Sequence, residues 1–196
     1  MQLSICHSIV SRCVTVCIAT AWLLAAGNVM ANQNTVARPA EISETIGDAR
    51  SVGATRLRVF GFQIYDARLW AQPSFEAQAY TNSPFALEIN YLRKFDNNAV
   101  AERSIQEMRK LGSMTEAQAA QWLAQMRKIF PDIAKGDRLV GIHSPGVGAV
   151  FKFNGKPVGE IKDTEFARLF FGIWLSPQSS EPQMRRELLG LSSSQP

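Results

Sequence analysis

The chain has 196 residues, of which 46% are hydrophobic and 19% charged, with a formal net charge of +4. Its lysines and arginines are interspersed with acids rather than gathered on one stretch, which gives a nucleic-acid partner no footing. Only three cysteines and two histidines are present, too few for most metal or disulfide frameworks.

The first segment reads as an export signal. Arg12 precedes an apolar run over residues 13–27, and Val29-Met30-Ala31 has the small-residue pattern of a cleavage site. The run is shorter than the ~20 residues a spanning helix needs. Cleavage before Asn32 would leave a periplasmic or secreted chain, residues 32–196, with no membrane span and a length suited to one domain. Cys6, Cys13 and Cys17 leave with the signal, which rules out a thiol nucleophile, an iron–sulfur cluster and a thiolate zinc site in what remains. His143 is then the single histidine, so a multi-histidine metal site is ruled out too, and no cofactor is expected.

Beyond the signal, the pattern predicts strands at residues 55–60, 62–70 and 85–93, the third alternating Phe85, Leu87, Ile89 and Tyr91 against Glu88 and Asn90. Asp96 is placed to cap a helix running to Leu111, with Ala101, Ile105 and Met108 as its inner stripe and Gly112 as its stop. A second helix follows from a Thr115/Gln118 capping box, with Ala119, Trp122, Leu123, Met126, Ile129 and Phe130 at helical spacing before Pro131. Strands return at 138–143 and 149–153, and Asn154-Gly155 turns a hairpin. Asp163 caps a very apolar helix containing Phe166, Leu169, Phe170, Ile173 and Trp174. Ser180 with Gln183 is read as the cap of a short final helix, before a loose tail at 192–196. This order predicts an α+β domain: a large antiparallel sheet with helices packed on one face. "GVGAVF" is not a dinucleotide fingerprint, since it lacks the third glycine and leads into a strand.

The segments "RLRVFGFQIYDARLW", "LEINYLRKFDNNAVAERSIQEM" and "FKFNGKPVGEIKDTEFARLFFGIWLSP" resemble the chalcone isomerase-like proteins, particularly their exported bacterial branch, over about residues 50–190. The resemblance implies an open-faced sandwich with a ligand cleft between sheet and helices. It leaves function open, because the family includes cyclising isomerases and non-catalytic fatty-acid binders. In the enzymes an arginine stabilises the enolate, a threonine holds a water, and a tyrosine and an asparagine position the substrate. By resemblance the arginine falls on Arg56 and the threonine on or near Tyr65. Ala99 stands where the tyrosine would be, and Ser104 or Gln106 where the asparagine would be. A cyclase needs that positioning pair, so the departure favours binding over catalysis.

Arg56 and Arg58, two apart on one strand, project from one face, and Tyr65 on the adjoining strand can share it. They form either a solvent-exposed row of charges or, with Tyr65, a donor set for an anion with an apolar body. Ser104 and Glu107 lie on the inner edge of the first long helix, where Ser104 can add a donor. Tyr91 and Trp70 read as packing residues, and His143 as a loop-end histidine without a catalytic role. The function expected is binding of a fatty-acid-like or other small amphipathic anion, with Arg56, Arg58, Tyr65 and Ser104 as its ligands. The alternatives are an isomerase or intramolecular lyase on an aromatic enone, using Arg56 and Tyr65, and an interaction protein whose cleft is filled by its own side chains.

Overall fold

In the computed structural model, the structure describes residues 37–191. Residues 1–31, read above as an export signal, and the tail at 192–196 lie outside them. Six strands form one sheet in sequence order, all neighbours antiparallel: β1 (Arg50–Val59), β2 (Phe62–Ala71), β3 (Phe85–Tyr91), β4 (Arg138–Ser144), β5 (Gly148–Phe153) and β6 (Lys156–Ile161). The fold is therefore α+β with a large antiparallel sheet, as the sequence pattern predicts.

Four helices cover one face: α2 (Asn97–Leu111), α3 (Glu116–Ile129), α4 (Thr164–Leu175) and α5 (Pro182–Leu188). Their starts are set by local chemistry. Asp96 accepts from the backbone N–H of Asn98 and Ala99, Thr115 and Gln118 complete their capping box, and Asp163 accepts from Glu165 and Phe166. Asp163 also takes a hydrogen bond from the Trp122 indole at 2.9 Å, which ties α3 to the start of α4. Alternation sorts the sheet: Ala67, Leu69, Ala71, Phe85, Leu87 and Ile89 face the helices, where Phe166, Phe170 and Phe171 of α4 pack over them.

A short helix not anticipated from the sequence, α1 (Ala40–Ser43), lies on the opposite face. Ile42 and Ile46 there cover Trp70, Ala86, Val140 and Ile142, the outward members of the same strands. Its four residues are too few for any periodicity to show. The Ala77–Asn82 stretch is a 3₁₀ segment that returns β2 to β3.

Two expectations change. β1 begins at Arg50 rather than at residue 55, and it slips register between Ser51 and Gly53. Gly53 lies under α5, where a Cβ would come within 2.1 Å of the Glu187 carbonyl oxygen, so only glycine admits this packing. The final helix starts at Pro182 with Glu181 at its N-cap and no side-chain cap, one residue later than a Ser180 cap requires, and the Ser180 hydroxyl donates to Glu107 at 2.6 Å. Among the described residues, no helix is long and apolar enough to cross a membrane.

Candidate functional site

The sheet and the helices part at one end to leave a cleft of about 490 Å³. This lies within the 300–1,000 Å³ range usual for small-molecule sites. Its floor is Leu57, Tyr65, Ile89, Tyr91 and Leu139 from β1–β4, and its roof is Phe170, Ile173 and Trp174 of α4 with Met184 of α5. One wall comes from α2, whose residues Ala99, Val100, Arg103, Ser104 and Glu107 face it at helical spacing. Most of the lining is apolar, and the polar groups gather where α2 approaches the turn before α5.

Tyr65 is the centre of that polar end. Its hydroxyl accepts from the Trp174 indole N–H at 2.9 Å, while its own proton finds only the Met184 sulfur at 3.9 Å. Burial drives the phenol pKa well above its ordinary value, only partly opposed by the Trp174 hydrogen bond and the Arg103 charge. Tyr65 is thus a protonated donor at neutral pH with no strong acceptor, which suits it to donate to a ligand oxygen and not to act as a base.

Glu107 closes the mouth. Burial alone would raise its carboxyl, but hydrogen bonds from Lys110 and Ser180 and the charges of Arg103 and Lys110 outweigh that and hold it below its usual range. Arg103 contacts it at 2.6 Å with a side chain that is still 68% exposed, so the guanidinium retains free donors at the cleft edge.

The structure separates the four candidate ligands named from sequence. Tyr65 and Ser104 line the cleft, although Ser104 donates its hydroxyl back to the Val100 carbonyl at 2.9 Å. Arg56 and Arg58 do not share their face. The register pairs Leu57 with Tyr65 and Arg56 with Asp66, so Leu57 turns to the cleft and Arg56 to the opposite side of the sheet. There Arg56 makes a bidentate pair with Asp66 and donates to Gln63 at 3.0 Å. Together with Arg58, Arg68, Glu88 and Asn90 it lines a shallow polar depression. The shared-face expectation failed because a register shift at Leu57/Arg58 decides which residues oppose each other, and no residue type announces it.

Of the residues considered for the positioning pair, Ala99 and Ser104 line the cleft and Gln106 is exposed. Arg103, Glu181, Trp174 and Met184 were not anticipated as lining. For Arg103 a signal exists, since Ala99, Arg103 and Glu107 recur every four residues on α2. His143 lies in β4 next to its end, as the strand expected at 138–143 has it, but it does not face a loop: it pairs with Phe85 of β3 and Ala149 of β5, is 5% exposed, and stacks on the Phe85 ring at 4.8 Å.

A chalcone isomerase-like family model matches residues 52–190. The chain belongs to the chalcone isomerase-like family. An uncharacterized protein of Haemophilus influenzae is similar to this member at 27% identity over 133 residues, 68% of this chain but 64% of the relative, so less than two thirds of that protein is spanned. Among solved structures, the crystal structure of an Arabidopsis thaliana fatty-acid binding protein superposes with a TM-score of 0.58, covering 73% of this chain and 87% of that one. At 12% identity that likeness establishes the fold alone.

Proposed function

We propose that this family member is a non-catalytic binder of one small amphipathic anion, fatty-acid-like in form, held with its apolar body between the sheet and α4 and its charged end between Tyr65 and Arg103. The observation that carries the reading is the Tyr65 hydroxyl, a protonated donor without a strong acceptor at the polar end of an otherwise apolar cleft. Arg103 supplies the charge at the mouth, a role that Arg56 and Arg58 on the far face of the sheet leave vacant. Support for the absence of chemistry comes from Ala99 and the internally bonded Ser104, which leave the cleft without a substrate-positioning pair. The fold shared with a fatty-acid binding protein agrees with this.

Displacement of a fluorescent fatty acid by unlabelled chains of increasing length tests the reading. Affinity should rise with each methylene, at ~0.8 kcal/mol per buried group, until the cleft is full. Affinity independent of chain length would overturn it, as would cyclisation of a chalcone well above the spontaneous rate. We also propose that the protein acts outside the cytoplasm after removal of residues 1–31. N-terminal sequencing of the protein from its native host should begin at Asn32, and an uncleaved Met1 would refute export by this signal.

A further inference from the structure

Two hairpins of the sheet make the same turn with different residues. Between β5 and β6 the turn is Asn154-Gly155, with φ of 49° and 82°; between β1 and β2 it is Phe60-Gly61, with φ of 48° and 82°. Both are two-residue loops, closed by Phe153 opposite Lys156 and by Val59 opposite Phe62. Asparagine suits the left-handed first position because its short polar side chain bonds locally, whereas a bulky aromatic there is a steric outlier. Phe60 gains no packing in return, being 97% exposed. A side chain that strains its turn and buries nothing within the chain is not explained by the fold.

Its surroundings have one character. Val59 and Phe62 are 41% and 60% exposed, and the Arg93 guanidinium lies 4.8 Å over the Phe62 ring. Segments 57–65 and 91–95, which form this corner, hold Arg58, Arg93 and Lys94, and the acids that border them are engaged, Asp66 with Arg56 and Asp96 as the cap of α2. All three cations are exposed.

We propose that the β1–β2 hairpin tip docks the protein on an anionic lipid bilayer, with Phe60 and Phe62 at the boundary between headgroups and acyl chains and Arg58, Arg93 and Lys94 against the lipid phosphates. The pairing of features selects this occupant. An acidic protein would satisfy the cations and leave Phe60 in water, and an apolar protein groove would take the ring and strand the cations. An anionic bilayer offers an apolar layer directly beneath a negative one. Val59, at the base of the tip, lines the cleft, so docking brings the Val59 side of the cleft next to the membrane surface and shortens the path of an amphipathic anion from the bilayer. That last step rests on the binding function proposed above; docking itself does not.

Flotation with vesicles of phosphatidylcholine, alone or equimolar with phosphatidylglycerol, tests the proposal. The variants share their N-terminus with the wild type, so any contribution of residues 1–31 cancels. The wild type should prefer the anionic vesicles. Phe60→Asn, which gives this turn the residue its twin already has, should bind them about 10- to 100-fold more weakly, the equivalent of one buried phenylalanine. Its thermal midpoint should stay level or rise. Arg93→Gln with Lys94→Gln should lower binding to the anionic vesicles about fivefold per charge and narrow the preference accordingly. Unchanged vesicle binding in Phe60→Asn would overturn the proposal, as would a wild-type dimer that Phe60→Asn dissolves while vesicle binding is absent. Fatty-acid displacement by Phe60→Asn without vesicles stays at the wild-type affinity in every case, so failure of docking is distinguishable from failure of the cleft.

Discussion

The Trp174 indole donates to the Tyr65 hydroxyl at 2.9 Å, a hydrogen bond that joins the roof of the cleft to its floor. The bond holds the phenol oxygen as an acceptor from the roof and leaves its proton with no partner stronger than the Met184 sulfur at 3.9 Å. A packing contact from α4 thereby holds in place the donor that a ligand would meet.

Tyr65→Phe should therefore act on two quantities at once. Fatty-acid affinity is expected to fall about 10- to 100-fold, the value of a charge-assisted hydrogen bond. Stability should fall by about 1 to 3 kcal/mol, since the Trp174 N–H is left buried without an acceptor. Titration calorimetry and urea unfolding of the same preparation read both, and a variant unchanged in affinity would remove Tyr65 from the site.

A pair of arginine variants separates the two faces of the sheet. Arg103→Ala should weaken binding of a carboxylate about 10- to 100-fold while sparing the corresponding alcohol, because only the charged end meets the guanidinium. Arg56→Ala should leave both affinities at the wild-type value, since its partners Asp66 and Gln63 lie outside the cleft. The opposite ranking would return the anion site to the outer face.

The centre of the core lies under α4. Phe171 is fully buried and meets Phe85, His143 and Phe170 edge to face. Phe171→Ala should cost about 3 to 5 kcal/mol, lost burial and residual cavity together. A loss below about 1 kcal/mol in denaturant unfolding would show that this layer closes around the gap.

His143 gives the protein a specific pH response. Its Nδ1 lies 3.1 Å from the Ser83 carbonyl, which can only accept, so the neutral ring carries its proton there. Burial lowers its pKa below the ordinary 6.5, with the Ser83 bond opposing in part. The unfolded chain then takes up a proton at pH values where the folded one does not. Stability should be complete above about pH 6.5 and decline as pH falls toward the folded pKa. Urea midpoints should fall between about pH 7.5 and 5.5, and His143→Gln should flatten that interval. A wild-type midpoint that rises on acidification would contradict a buried neutral ring.

Much of the architecture was legible because it is written in local chemistry. Asp96, Thr115 with Gln118, Asp163 and Asn154-Gly155 each mark a boundary through their own backbone hydrogen bonds or φ preference, and the structure uses each where it stands. The site was only half legible. Tyr65 and Ser104 reach the cleft by simple alternation and helical spacing, but the side taken by Arg56 depends on the bulge beside Leu57. Ser180 stands one residue before the N-cap Glu181, with its hydroxyl donating to the buried Glu107 carboxylate on α2. The Ser180 contact depends on a group 73 residues away in sequence, where local pattern has no reach.

The chain leaves the sheet after Tyr91 and rejoins it beside its point of departure, with Asn90 opposite Arg138 and both α2 and α3 in between. The stem of this excursion is sealed by its own bonds: Tyr91 donates to Asp137 and accepts from Gly136, both at 2.8 Å, and Phe95 and Ile133 exchange a pair at 2.9 Å. The helical wall of the cleft is therefore a cassette inserted into an otherwise uninterrupted meander. Its inner residues, Ala101, Met108, Trp122 and Met126, are locked into the common core, whereas its cleft-lining Ala99, Arg103 and Glu107 take part in no strand pairing, so the groups at the polar end sit on a separate element from the apolar floor.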